Sequence, residues 1–341
     1  MTITTPITDT ATSGTQSPAV TLRDVIEGQT AGHLIVAADD YDWWTTLLAD
    51  TPIQPTSAIE NVVADGLIRA GLLAGSPAGI LLTDAGREVA HNRGFVRVAV
   101  RGWEPTFRQL SAQRGADHIP AATEPGDVAR GCTDIARRRP EILGGVGGAI
   151  AAGTPGITID LGCADAGRIA LLSQIATEET FIGVDIEDGV IADATAEMGS
   201  RGLSDRVRLL AGSVQPGAEM PAWLDHVDRE AVTTAMSFFL LHQLASDGGG
   251  IAPVLAGWME WFPNLTRLVI GDGIRLTAPR WTGQPWFSPT YEIYHAITGV
   301  QLWSDAEYET AFADLGWTLT QRHSDHTMLV TSILERSTDS R

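Results

Sequence analysis

Strand-like and helix-like runs alternate along the second half of the sequence, and this rhythm constrains the fold more than any other feature. Five short apolar runs begin at Thr158 and end with TRLVIGDG at residues 266–273, and helical stretches separate them. Such alternation indicates a parallel sheet with helices on both faces. The closing runs WTLTQRHS and HTMLVTSIL, joined by a short turn, predict an antiparallel edge hairpin. We therefore predict an α/β, Rossmann-like doubly wound fold with seven strands.

A helical region with a small β-hairpin precedes this pattern. Apolar residues such as Ile59, Val63 and Leu67 recur at helical spacing, and LLAGSPAGILL then indicates two strands around a turn. Thr83 is the expected cap of the next helix. These elements predict a winged-helix-like domain. The expected parts are a disordered tail at 1–18, a winged-helix-like dimerisation domain at 19–100, a helical linker or lid at 101–150 and the α/β domain at 151–336.

Charge and composition exclude several classes of function. The formal net charge is −19, which disfavours a nucleic-acid partner and makes the winged helix more suitable for dimerisation than for DNA binding. The sequence contains no lysine, so Schiff-base and P-loop chemistry are excluded. Its two cysteines fit a reducing compartment, and no apolar run is long enough for a membrane span. We expect a cytoplasmic protein that contacts neither nucleic acid nor a membrane.

A turn of small residues follows the first strand of the α/β part. In TIDLGCADAGR, Asp160 ends the strand, and Gly162 and Ala164 allow a ligand to approach the backbone closely. Asp185 follows about 20 residues later, the spacing at which a carboxylate binds ribose hydroxyls. The residues alone leave open whether the nucleotide is a dinucleotide.

The segments DLGCADAGR and GVDIEDGVIADA, with the closing hairpin, resemble class I S-adenosylmethionine-dependent methyltransferases over roughly residues 155–335. The helical region in front resembles the dimerisation domain of natural-product methyltransferases, which implies a homodimer and a small-molecule acceptor. The resemblance also implies S-adenosylmethionine as cofactor and a set of residues around it. Asp160, Gly162 and Ala164 would line the methionine end, Asp185 would bind the ribose, Ile186 would pack on adenine, and Ser213 would stand near adenine where many relatives have an acidic residue.

Two histidines lie where a doubly wound sheet places its ligand. His242 ends the apolar run after the fourth strand, and His295 lies on a helical stretch after the fifth. Tyr291 and Glu292 precede His295 by about one helical turn. Both segments border the ligand crevice, so the imidazoles could share a metal, or His242 could be a general base.

The order FFLLHQ, FPNLTRLVIGDGIRLT and YEIYHAITGV resembles metal-dependent C-methyltransferases that methylate the β carbon of 2-oxo acids in secondary-metabolite and antibiotic biosynthesis. The resemblance implies a non-haem iron or zinc held by His242 and His295, with Gln243 as a third ligand. It also implies methylation at C3 of a 2-oxo acid through a metal-stabilised enolate.

Three further roles around this metal centre are expected but not assigned to single residues. Glu292, Tyr291 and a metal-bound water are alternative bases. Tyr291 and Trp286 are candidates for the substrate wall, and Arg130 is a candidate partner of the substrate carboxylate.

Two alternatives remain open at the level of the sequence. One is a metal-free O- or N-methyltransferase of a small-molecule natural product, with His242 as general base. The other is a non-enzymatic acidic regulator that retains a degenerate cofactor fold.

Overall fold

A computed structural model describes residues 21–153, 155–276, 287–324 and 328–336. The first part of the chain is helical with one two-stranded hairpin, as predicted. Its elements are α1 (Leu22–Asp40), α2 (Trp43–Leu48), α3 (Ala58–Arg69), β1 (Leu73–Ser76), β2 (Gly79–Leu82) and α4 (Asp84–Arg97). The Thr83 side chain accepts a hydrogen bond from the Gly86 amide, which confirms it as the cap of α4.

The apolar stripe of α3 is wider than the face that α3 buries. Val63 and Leu67 lie in the core, whereas Ile59 and Val62 are more than half exposed. Leu22 and neighbouring apolar residues of α1 are exposed as well. This apolar surface suits the expected homodimer, which stays a prediction.

Three helices and a π-helical turn connect the two parts of the chain. They are the π-helix Val98–Gly102, α5 (Glu104–Arg108), α6 (Pro125–Arg137) and α7 (Pro140–Ala151). Arg97, almost fully buried, pairs with Asp39 of α1 and Asp127 of α6, and so ties these helices together. Four glycines lie within the helix α7, which ends the region expected to be a helical linker or lid. Its glycines permit close packing, since a Cβ at Gly147 would lie 2.8 Å from Ile175.

The α/β part contains the predicted alternation. Its elements are β3 (Ile157–Leu161), α8 (Gly167–Leu172), β4 (Thr180–Asp185), α9 (Asp188–Ser200), β5 (Val207–Ala211), a 3₁₀ turn (Ala222–His226), β6 (Val232–Phe238), α10 (Leu241–Asp247), α11 (Ile251–Trp261), β7 (Arg267–Gly273), α12 (Ser288–Thr298), α13 (Asp305–Asp314), β8 (Thr318–Ser324) and β9 (Leu329–Glu335). The turn expected between the last two strands lies outside the described residues.

These strands form one seven-stranded sheet in the order β5-β4-β3-β6-β7-β9-β8, which confirms the predicted fold class. The pairs from β5 to β7 are parallel, and β9 runs antiparallel to both β7 and β8. The strand order reverses beside β3, so a crevice opens at the carboxyl ends of β3 and β6. Apolar clusters cover both faces of the sheet. Within the described ranges, every helix is too short or too polar to cross a bilayer.

Candidate active site

The carboxyl ends of β6 and β7 position the first histidine. β6 ends at Phe238, and Phe239 follows with a left-handed φ of 57°, a conformation that is costly for a non-glycine residue and that clusters at functional sites. The chain then enters α10, which places the fully buried His242 beside Asp272 of β7.

Asp272 holds His242 through both its backbone and its ring. The backbone N–H of His242 donates to Asp272 Oδ2 at 2.8 Å, and His242 Nδ1 lies 2.6 Å from Asp272 Oδ1. The Tyr308 hydroxyl donates to the same carboxylate at 2.8 Å. Burial raises the pKa of Asp272, but its electrostatic attraction to His242 and the hydrogen bonds from His242 and Tyr308 outweigh burial and leave the pKa lowered. The carboxylate is therefore ionised, and His242 carries its Nδ1 proton toward it.

His295 meets His242 from the other side. Its Nδ1 lies 2.7 Å from the backbone oxygen of Tyr291, a group that can only accept, so the Nδ1 of His295 carries the proton. The Nε2 atoms of the two rings are then 3.0 Å apart. Burial and the neighbouring His242 lower the pKa of His295 to about 3, so this imidazole is neutral near pH 7.

With both Nδ1 atoms protonated, two Nε2 lone pairs face each other at 3.0 Å. Two neutral acceptors at this separation repel, and a cation between them removes the repulsion. That cation can be a proton, which makes one ring an imidazolium that donates to the other, or a metal ion. The geometry therefore equips the pair to take up one positive charge.

Tyr291 covers the pair on the side of α12. Its hydroxyl lies 3.3 Å from His242 Nε2, and burial together with the charge of Asp272 raises its pKa well above the usual value. The phenol therefore stays protonated and is a donor rather than a base. Its ring requires a glycine beneath it, because a Cβ at Gly273 would lie 2.5 Å from the Tyr291 hydroxyl.

A small cavity of about 70 Å³ adjoins the two imidazoles. Trp103, which follows the π-helical turn, stacks on Tyr294 with ring centroids 4.2 Å apart and planes 9° from parallel. The same indole meets His295 edge-on. Phe287 also lines this small cavity, so its wall is aromatic and comes from both parts of the chain.

A larger cavity of about 320 Å³ lies beside the turn after β3. Gly162 and Ala164, which the resemblance places around the cofactor, line it together with Asp185. The Ala164 amide donates to Asp185 Oδ2 at 2.9 Å and the Glu187 amide to Oδ1 at 3.2 Å, which fixes the carboxylate. Gln243 borders both cavities, and so do Trp103 and Tyr294. The two spaces therefore share a wall.

Several predicted residues lie elsewhere. Asp160 is fully buried, lines neither cavity, and contacts Arg168 through both carboxylate oxygens. Burial raises the pKa of Asp160 to about 6, although Arg168 opposes the rise. Ile186 is 68% exposed and Ser213 is exposed, and neither lines the large cavity.

The remaining candidates fall outside the small cavity at the two histidines or outside the described residues. Glu292 borders neither cavity. Arg130 lies on the surface, with a side chain that is 60% exposed and 3.8 Å from Asp40. Trp286 lies outside the described residues.

The donor set at the histidine pair can be compared with that of a metal centre. Histidines that bind a metal commonly donate their second ring N–H to a carboxylate or a carbonyl, and both rings here do so. Within the described residues, no group of three His, Cys, Asp or Glu side chains could hold a metal ion. The ligand set that the resemblance implies also includes the amide of Gln243, which lines the same cavity as His242 and His295.

The sequence reasoning missed Asp272, Tyr308, Trp103 and Arg168. Asp272 carried a usable signal, since it ends the strand next to the one that precedes His242. Trp103 and Tyr308 carried none, because they reach the site only through tertiary packing.

Comparison with known proteins agrees with this fold. No protein-family model matches the sequence. A methyltransferase named ungE′ from Aspergillus campestris is 25% identical over 185 residues, so the match spans about half of this chain and half of that relative.

Solved structures match over nearly the whole chain. A candidate O-methyltransferase from Nostoc punctiforme has a TM-score of 0.64 at 16% identity, covering 95% of this chain and 100% of that one. An O-methyltransferase from neocarzinostatin biosynthesis, solved with S-adenosylmethionine and 2-hydroxy-5-methyl naphthoic acid, has a TM-score of 0.55 at 15% identity, covering 94% and 100%. The chain thus has the fold of class I S-adenosylmethionine-dependent methyltransferases.

Proposed function

We propose that this chain, which has a class I methyltransferase fold, transfers the methyl group of S-adenosylmethionine to a small-molecule acceptor that loses a proton at the His242–His295 pair. The observation that carries the proposal is the wall shared by the large cavity, the donor cavity, and the small acceptor cavity beside the two imidazoles. A donor in one cavity could therefore present its methyl group to a nucleophile in the other. The names of the relatives, mostly O-methyltransferases, support methyl transfer to oxygen.

His242 acts as the general base in this proposal. Asp272 Oδ1 lies 2.6 Å from His242 Nδ1 and accepts its proton, so Nε2 keeps the lone pair that takes a proton from the acceptor. The resulting imidazolium donates to the neutral His295, whose Nε2 is 3.0 Å away, and is stabilised by the ionised Asp272. The deprotonated acceptor atom then attacks the methyl carbon, the carbon–sulfur bond breaks, and S-adenosylhomocysteine leaves.

Methylation at C3 of a 2-oxo acid is a second candidate, and one observation favours it. The two facing Nε2 atoms suit two ligands of one cation, because each ring uses its Nδ1 for an outer hydrogen bond. His242, His295 and Gln243 would hold an iron or zinc ion, which would supply Lewis-acid polarisation of the 2-oxo group. The aromatic wall around Trp103 would orient the side chain of the acceptor.

The test incubates the protein and S-adenosylmethionine with phenols, hydroxy-naphthoic acids and 2-oxo acids. Mass spectrometry records the gain of one methyl group, and NMR locates the methyl on oxygen or carbon. An O-methyl product that survives chelator treatment supports the first candidate. A C-methyl product that is lost with a bound metal supports the second. If the protein binds no S-adenosylmethionine and methylates nothing, both are wrong.

His242→Ala is the matched loss-of-function variant. Arg201→Gln is the control, because Arg201 pairs with Glu197 on the exposed face at the end of α9, outside both cavities. Equal activity of His242→Ala and the control would contradict a role of the pair.

A further inference from the structure

Arg168 borders the donor cavity and carries one hydrogen-bond donor, Nε, that has no partner among the described residues. The residue is only 5% exposed. Its Nη2 donates to both oxygens of Asp160, at 3.1 and 3.0 Å. Its Nε is buried and has no partner among the described residues. An unmade hydrogen bond on a buried donor costs roughly 1 to 3 kcal/mol, so an external acceptor would be favourable here.

The guanidinium is held in a fixed plane. Its Cζ lies 4.1 Å from the centre of the Phe238 ring, and Asp160 fixes one edge from behind. Phe238 in turn packs closely against Gly271, where a Cβ would come within 2.2 Å of the ring. A planar cation clamped in this way keeps the direction of its unused Nε–H fixed, which suits one charge-assisted hydrogen bond to a carboxylate oxygen.

The charges around the donor cavity point to the same kind of group. Among the described residues that line it, Arg168 is the one cationic side chain, and Asp185 and Glu187 are acidic. S-adenosylmethionine carries a single anionic group, the α-carboxylate of its methionyl part. Arg168 lines this cavity and not the acceptor cavity at the two histidines, and its charge is complementary to this carboxylate.

We propose that Arg168 binds the α-carboxylate of the methyl donor and that Asp160 acts from behind it as its counter-ion. The proposal rests on the donor assigned under the proposed function and adds the residue that recognises its amino-acid end. The resemblance implies a negative charge, that of Asp160, at the methionine end of the donor. In the structure Asp160 is fully buried, and the positively charged Arg168 lines the cavity instead. Asp160 is then a positioning residue.

Calorimetry with three ligands tests this assignment. They are S-adenosylhomocysteine, its decarboxylated analogue S-adenosyl-3-thiopropylamine, and 5′-methylthioadenosine, which lacks the whole amino-acid end. Arg168→Gln is expected to weaken the binding of S-adenosylhomocysteine by roughly tenfold or more, as for the loss of one charge-assisted contact. The affinities for the other two ligands should stay within about twofold of the wild-type values. The wild type should prefer S-adenosylhomocysteine over the decarboxylated analogue by a similar factor.

Two results would overturn the assignment. An equal loss of affinity for all three ligands would show that Arg168 has a purely structural role. Unchanged S-adenosylhomocysteine affinity with a raised KM for the acceptor would assign the arginine to an acceptor carboxylate. If the wild type binds none of the ligands, the proposed function itself is wrong, so the two failures are distinct.

A second variant guards against misfolding, since Arg168→Gln leaves the buried Asp160 without its partner. The double variant Asp160→Asn/Arg168→Gln removes both charges. It should bind the decarboxylated analogue like the wild type and still lose affinity for S-adenosylhomocysteine. Wild-type affinity of the double variant for S-adenosylhomocysteine would also contradict the proposal, and Arg201→Gln again serves as the charge control.

Discussion

Replacing Asp272 by Asn tests the chemistry of the histidine pair without changing its shape. The Asp272 carboxylate accepts four hydrogen bonds, two at each oxygen, from His242 Nδ1, the His242 amide, Tyr308 and the Gly273 amide. An amide keeps one accepting oxygen, so two of the four bonds lose their acceptor. At about 1.5 to 3 kcal/mol for a bond to a charged group, the expected destabilisation is roughly 3 to 6 kcal/mol. The loss is smaller if the Tyr308 hydroxyl accepts a hydrogen bond from the new amide instead of donating one.

The effect on activity depends on which ring nitrogen of His242 carries the proton in the variant. If the amide NH₂ faces His242 Nδ1, the ring proton moves to Nε2 and the base is lost. If the amide oxygen faces it, the tautomer survives but the imidazolium loses its counter-charge. Either way we expect a fall of roughly 10²- to 10⁴-fold in the rate of methyl transfer, the range for general-base catalysis and for a histidine that loses its carboxylate partner.

Single-turnover rates between pH 6 and 9 and urea unfolding measure the two effects separately. Tyr308→Phe is the matched control, since it removes one bond to the same carboxylate and leaves the contact with Nδ1 intact. Its rate should stay within about tenfold of the wild type. An Asp272→Asn protein that folds and transfers methyl groups within about threefold of the wild-type rate would refute the role of His242 as base.

Three further predictions concern the surroundings of the pair. Gly273→Ala should displace the Tyr291 ring and cost about 1 to 3 kcal/mol in urea unfolding, because the added Cβ would lie 2.5 Å from the hydroxyl; wild-type stability would contradict this packing. Trp103→Ala should cost about 3 to 5 kcal/mol and raise the acceptor KM, since it removes the ring stacked 4.2 Å from Tyr294; an unchanged KM would remove the indole from the acceptor wall. The pKa of His295 is lowered to about 3, so between pH 6.5 and 3 the unfolded chain binds a proton that the folded chain does not, and stability should fall as the pH is lowered, by at most about 1.4 kcal/mol per unit. His295→Asn should flatten this slope in urea unfolding at pH 7, 6 and 5, and an unchanged slope would contradict a buried neutral imidazole.

The fold could be predicted from the sequence because its signals are local. The alternation after Thr158 and the hairpin at the end of the chain fix strand types and connections without tertiary information. The helix α7 was harder to predict, since its glycines weaken a helix in isolation and are favourable only where Ile175 packs against them.

The candidate site could be predicted only where one residue lies at the end of one element. His242 and His295 were identified in this way, and their Nε2 atoms are 3.0 Å apart. Asp272 required knowing that β6 and β7 are neighbours, and Trp103 required the packing of the N-terminal helices over the sheet. Arg168 could not be predicted from the sequence, because its ion pair with Asp160 depends on how α8 packs against β3.

Transfer of a ¹³C-labelled methyl group from S-adenosylmethionine measures the central claim most directly. With an acceptor from the panel, the wild-type protein should give one labelled methyl on the product and one S-adenosylhomocysteine per turnover. His242→Ala should still bind S-adenosylhomocysteine but yield little or no labelled product. Labelled product at the wild-type rate from the His242 variant would contradict deprotonation at this pair, and a wild-type protein that binds the donor yet labels no acceptor in the panel would contradict the proposed methyl transfer.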